Sequence, residues 1–159
     1  KLNIQSLNIK DTLDRVYKKF EILSKKAGVE LKLNLKFIKE NVFVNADEGK
    51  IEQVLYNLLN NALNHSAKDS KITLTLIEKQ DKVRIEVKDT GEGISENEIP
   101  YIWDRFYKAD KSGDRRRSGT GLGLSIVKSI LTAHNCNYGV ESKEKLGTNF
   151  WFELKKDIN

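Results

Sequence analysis

The chain has 159 residues, 38% of them hydrophobic and 32% charged, with a net charge of +5 and a pI near 9.2. That length suits one domain with a real core. No apolar run approaches the ~20 residues that cross a bilayer, and "KLNIQSLNIKD" at the start is too polar for a signal peptide. A single cysteine, Cys136, excludes an internal disulfide and a multi-cysteine metal site, which fits a reducing compartment. The lysines are spread along the chain, and the one dense basic cluster, "DRRRS" at 114–118, has no interleaved aromatics. A phosphate-bearing small ligand is therefore expected ahead of a nucleic acid.

Asp11 is placed to cap a first helix, in which Leu13, Val16, Tyr17, Phe20, Leu23 and Ala27 recur at helical spacing before Gly28 ends it. "VELKLNLKF" (29–37) alternates as a half-buried strand does, and "VFVNA" follows as a short one. Asp47 then caps a long helix reaching about Ser66. "KITLTLIEK" and "KVRIEVKD" form a hairpin turning at Gln80-Asp81. Residues 90–120 are polar and hold the only proline, Pro100, and a helix follows from Gly121. "YGVES" and "TNFWFELKK" read as two last strands around Gly147. The pattern predicts an α+β domain, with helices on one face of a mixed, mostly antiparallel sheet.

Three stretches carry chemistry. In "GTGLGLSIVKSILTAH" (119–134), alternating glycines run into a helix start, whose unpaired N–H groups and positive dipole end form a phosphate cradle. A mobile loop ending at a helix explains the same residues. In "DEGKIEQVLYNLLNNALNHS" (47–66), Asn57, Asn61 and Asn64 lie beside a buried stripe of Ile51, Val54, Leu55, Leu58, Leu59, Ala62 and Leu63. With Asn60, these poor helix formers cost about 2 kcal/mol against alanine. A solvated face would use Glu, Lys or Gln, whereas amides offer oxygen to a hard cation and N–H to phosphate. In "VKDTGEGI" (87–94), Asp89 ends a strand just before Gly91 and Gly93. It either closes an Asx turn or accepts a hydrogen bond from an amino group such as that of adenine, the glycines letting the flat base approach.

In this order, "NLLNNALNHS", "DTGEGI", "WDRFYKAD", "GTGLGL" and "GTNFWFEL" resemble the N, G1, F and G2 boxes and the final glycine-threonine strand of the ATP-binding catalytic domain of sensor histidine kinases. That domain lies within the ATPase superfamily of gyrase B, MutL and the ninety-kilodalton heat-shock chaperones, and the likeness covers nearly the whole chain. It implies the superfamily's two-layer α/β sandwich, the Bergerat fold, as a single domain over 1–159 with a lid at about 95–118. It implies ATP and Mg²⁺ as cofactors, with Asn61 on the metal and Asn57 on the phosphates or metal shell. Asp89 would read the adenine amine, with Gly91, Gly93 and Ile94 around the base and Thr148 beneath it. Backbone N–H groups of Gly119, Thr120, Gly121, Leu122, Gly123 and Leu124 would meet the phosphates. Lys108 would reach them from the lid, beside Tyr107 and an anchoring Phe106. Asn64 and His65 stand where many relatives carry lysine and tyrosine. The lysine's contact thus falls to Lys108 or Arg115 to Arg117, while His65 would lie against the adenine.

A Rossmann unit is discarded, because a long polar segment rather than a strand precedes the glycines. Gyrase-type relatives place a glutamate base where Asn57 stands, and an amide cannot act as general base. Transfer of the γ-phosphoryl group to a partner is therefore expected rather than hydrolysis. Alternatives are a serine kinase of the anti-sigma-factor type and a nucleotide-binding domain without catalysis. The two histidines, His65 and His134, lack the setting of a phosphoacceptor. The resemblance thus implies an acceptor histidine on a separate dimerisation domain of the same protein and a response regulator downstream. The isolated domain would be a monomer and the full protein a homodimer. The domain would be cytoplasmic, in a membrane-anchored sensor.

Overall fold

The computed structural model describes residues 1–36, 41–105, 107 and 123–157. Its first helix, α1 (Ile9–Ala27), is capped by Asn8, whose side-chain oxygen accepts the Lys10 N–H at 3.2 Å. Asp11 lies in the first turn instead, where its charge favours the helix dipole. Ile9, Leu13, Val16, Phe20 and Ser24 form the buried stripe, and Leu23 is 48% exposed. The stripe steps from 20 to 24, one turn, and leaves residue 23 about 100° aside. The Gly28 N–H closes the end onto the Lys25 carbonyl, as expected of a left-handed cap.

The described residues form seven strands: β1 (Gln5–Asn8), β2 (Glu30–Lys36), β3 (Phe43–Ala46), β4 (Lys71–Glu78), β5 (Lys82–Asp89), β6 (Tyr138–Lys143) and β7 (Gly147–Lys155). The main sheet has the order β2-β4-β5-β7-β6, with β2 parallel to β4 and every other pair antiparallel. A small antiparallel sheet pairs β1 with β3. β1 was not among the predicted strands: it is four residues long and buries only Leu7, too little for an alternation to show. Helices α1, α2 (Glu48–Asn64) and α3 (Gly123–Ala133) supply Leu13, Phe20, Leu55, Leu58, Val127 and Leu131 to the core. The sheet answers with Ile72, Leu74, Leu76, Ile85, Val87, Phe150 and Phe152. This is the predicted mixed α+β sandwich.

The other face of the sheet is polar. There the Arg84 guanidinium lies 4.1 Å from the Trp151 ring centre and pairs with Glu86 at 2.7 Å, and Lys79 and Lys82 flank Glu153. Past β7 the chain crosses to the small sheet, where Lys156 bridges to Val44 and the Asp157 N–H reaches the Phe43 carbonyl at 2.8 Å. The Lys156 ammonium turns back to Glu78, at 2.6 Å.

The first part of the expected lid is fixed to the sheet. A 3₁₀ turn at Ile99–Tyr101 contains Pro100 and leads to Ile102, which is buried. Trp103 then sits edge-on to Tyr138 and Phe150, with ring centres 5.2 and 5.5 Å apart. Edge-to-face pairs at this spacing add to the burial of the rings themselves. Trp103 therefore anchors the segment among the described residues. The predicted anchor Phe106, and the lid residues 108–118, lie outside them.

Candidate nucleotide site

Asp89 is the last residue of β5. Side chains alternate along a strand, so after Val83, Ile85 and Val87 it must also face the helices. It is 3% exposed, and burial pushes its pKa up. The backbone N–H groups of Gly91 and Thr148 and the nearby His65 pull partly the other way. The Gly91 N–H donates to its Oδ1 at 2.9 Å, so the Asx turn exists. An ionised carboxylate has about four acceptor positions, and capacity therefore remains for a ligand's donor.

Thr148 lies directly across the ladder from Asp89. Its hydroxyl is 2.8 Å from that of Ser142, which itself accepts the Ile94 N–H at 2.8 Å and donates to the Gly147 carbonyl at 2.9 Å. With its one proton spent on Gly147, Ser142 must accept from Thr148. Thr148 is thereby oriented with its own lone pairs uncommitted by this network. Ser142 was not a sequence candidate, because nothing in "YGVES" marks one serine as an orienting group.

The glycines of the "DTGEG" turn are required by the chain itself. A Cβ on Gly91 would stand 2.3 Å from the His65 carbonyl oxygen, and one on Gly93, at φ 74°, 2.0 Å from that of Lys143. Backbone of His65 and of Lys143 therefore stands where a side chain at either position would have to go. The turn is locked to the end of α2 and to the β6–β7 hairpin. His65 completes the tie through Nδ1, 3.2 Å from Glu92 Oε1.

α2 starts at Asp47, which accepts the Lys50 N–H as predicted. Ile51, Val54, Leu55, Leu58, Leu59 and Ala62 are buried, Asn57 and Asn61 are half-buried beside them, and Asn60 and Asn64 are exposed. The Asn57 amide donates to the Gly123 carbonyl at 3.4 Å, so the asparagine face meets the start of α3. Among the described residues, a Cβ added at Gly123 would meet nothing within 4 Å. Ile94, Tyr107 and Leu124 pack against the core, and burial and Glu98 push the Tyr107 pKa up. The structure thus brings Asn57 to Gly123, His65 to Glu92 and Gly91, and Asp89 to Thr148. Lys108, Gly119, Thr120, Gly121 and Leu122, together with Arg115 to Arg117, lie outside the described residues.

Residues 46–158 match the family model described as histidine kinase-, DNA gyrase B-, and HSP90-like ATPase. The chain belongs to this ATPase family. It is 35% identical over 153 residues to the sensor protein IrlS of Burkholderia pseudomallei, covering 96% of this chain and 32% of that protein. It therefore spans about a third of that relative's length. Among solved structures it resembles the catalytic domain of histidine kinase ThkA in a nucleotide-free form, with a TM-score of 0.83, 31% identity, and coverage of 98% of this chain and 99% of that one. ThkA is also solved in complex with the response regulator protein TrrA, with a TM-score of 0.78, 29% identity, and coverage of 96% and 42%. Full-length ShkA in complex with AMPPNP gives a TM-score of 0.84 at 26% identity, covering 98% and 32%. The Bergerat fold and the kinship to the ATPase domain of two-component sensor kinases, both expected from the motifs, are thereby established for this ATPase-family domain. Among the described residues no helix is long and apolar enough to cross a membrane.

Proposed function

We propose that residues 1–159 form one catalytic domain that binds ATP with Mg²⁺ and donates the γ-phosphoryl group to a histidine on a separate dimerisation domain. The observation that carries this reading is the pairing of buried Asp89 with oriented Thr148, together with an asparagine face on α2 that meets Gly123 at the start of α3. Asp89 would accept the adenine amine, with Thr148 beside it. Asn61 would ligate the metal. Asn57 spends its amide N–H on Gly123, which leaves its oxygen for the metal shell, and a hard cation takes oxygen. The donor set therefore fits Mg²⁺, which would neutralise phosphate charge during transfer. Backbone N–H groups from Gly119 to Leu124 would cradle the phosphates, with Lys108 reaching them from the lid and Asn64 at the rim of the asparagine face. His65, Gly91, Gly93, Ile94 and Tyr107 would line the base side.

The surroundings of the two histidines support an acceptor elsewhere. Both His134 ring nitrogens are hydrogen-bonded within the protein, and His65 is turned to Glu92. Asn57 offers no base to activate water. The acceptor is thus proposed to lie on another domain, with a response regulator further downstream, in a membrane-anchored sensor whose catalytic part is cytoplasmic. The ThkA–TrrA complex and the nucleotide analogue bound to ShkA support this reading by kinship. The test is incubation of the purified chain with radiolabelled ATP, alone and with the dimerisation domain supplied in trans. Transfer only to the added domain is expected. An acid-labile phosphohistidine on the chain alone would overturn the assignment.

Asn61→Ala separates chemistry from folding. It replaces a poor helix former with the best one, so the melting temperature without nucleotide should hold or rise while phosphotransfer collapses. Full activity, or an unfolded variant, would contradict the metal role.

A further inference from the structure

α3 is held to α2 by polar contacts at both ends. At the site end the Asn57 amide donates to the Gly123 carbonyl. At the far end stands His134, the first residue past α3. Its Nδ1 is 2.9 Å from the Ile130 carbonyl, and its Nε2 is 3.1 Å from the backbone nitrogen of Asp47, the cap residue of α2. A carbonyl only accepts and a backbone N–H only donates, so the proton sits on Nδ1 and Nε2 is the acceptor. The Asp47 carboxylate is engaged elsewhere, by the N–H groups of Asn3 and Lys50.

We propose that His134 is a positioning residue of the nucleotide site, setting the register of α3 on α2 and thereby the place of Gly123 against Asn57. The inference rests on the nucleotide reading above. The physical reason is directional. α3 buries Val127, Ile130 and Leu131, and apolar burial favours contact without fixing how far a helix slides or turns. Hydrogen bonds weaken steeply with misalignment, so a clasp at each end selects one register. An eleven-residue helix is about 16 Å long and carries a displacement at its end to its start as a rigid rod. The base pocket of Asp89 and Thr148 stands on the sheet and does not depend on α3.

His134→Asn keeps a donor near the Nδ1 position and withdraws from Asp47, whereas His134→Gln places an amide oxygen near the Nε2 position. MgATP and adenosine affinities are measured by calorimetry for the wild type and both variants, with hydrogen exchange at the Asp47 amide in nucleotide-free protein. The Asn variant should bind MgATP roughly tenfold more weakly, about the effect of one hydrogen bond, with adenosine affinity unchanged and faster exchange at Asp47. The Gln variant should match the wild type in all three readings. Equal losses for ATP and adenosine, unchanged ATP affinity in the Asn variant, or a variant that fails to fold would make His134 merely structural and overturn the inference. A wild type that binds MgATP while the Asn variant binds it equally well removes this inference alone. A wild type that binds neither ligand removes the nucleotide reading and this one with it.

Discussion

Asp89→Asn is expected to weaken ATP binding between tenfold and several hundredfold while leaving the nucleotide-free fold in place. The substitution turns an ionised acceptor into an amide whose NH₂ group can face the donor it should receive. Losing one partner of a buried hydrogen bond costs about 1–3 kcal/mol, more when a charge is involved, and each 1.4 kcal/mol is tenfold in affinity. GTP carries a carbonyl where adenine carries its amine, so the wild type should bind it poorly. Calorimetry with equal ATP and GTP affinities would remove the assignment.

The same variant tests the electrostatics of the site. Burial holds the Asp89 pKa above the ordinary 3.8, so the folded chain binds this proton more tightly than the unfolded chain does. A raised folded pKa contributes stability that is fully present below the unfolded value and is lost as pH rises through the folded one. Denaturation at a series of pH values should therefore show the wild type losing stability relative to Asp89→Asn as pH climbs from about 4 towards neutrality. A constant difference across that range would mean that burial does not act on Asp89 in this way.

Lys156→Met should cost about 3–5 kcal/mol of stability, the usual effect of removing one partner of a buried ion pair. Glu78 has a fully buried side chain and Lys156 one that is 12% exposed, and Lys156 also donates to the Lys79 carbonyl at 3.1 Å. The ammonium thus joins the β4 end of the main sheet to the segment that runs on to the small one. Such a loss is a large part of the 5–15 kcal/mol that holds a domain together and corresponds to a melting temperature lower by roughly 6 to 20 °C. Replacing both partners, Lys156→Met with Glu78→Leu, should recover most of it, because no buried carboxylate is then left without its ammonium from Lys156. The exposed pair of Arg15 and Glu52, at 2.8 Å, supplies the contrast. Exposed pairs contribute about 0–1 kcal/mol, so Arg15→Ala should barely move the curve. Similar losses at the two sites would show that burial is not what gives the Glu78 pair its weight.

Whatever repeats at a local period or follows from a residue's own backbone preference was legible along the chain. Helical spacing marked α2 and its buried stripe, and Asp47 was legible as its cap. Alternation marked β2, and the two runs on either side of Gln80-Asp81 were legible as the hairpin of β4 and β5, with Asp89 at its end. Gly28, with a φ of 72°, was legible as a helix end because few residues tolerate that conformation. The order of the motifs along the chain carried the family, since it reflects a series of elements rather than any single contact.

Pairings between residues far apart in the chain became legible in the folded molecule alone. Asn8 rather than Asp11 caps α1, although either residue type serves, because β1 runs directly into the helix as the partner of β3. Glu78 meets Lys156, Asp47 meets His134, and Ser142 orients Thr148. Trp103 holds the polar segment to β6 and β7, and the backbone of His65 and Lys143 fills the space beside Gly91 and Gly93. None of these has a sequence period. Each depends on a directional contact or a close approach that exists only once the sheet order has brought the two segments together, so one residue's chemistry limits the kind of partner it takes without saying where along the chain that partner lies.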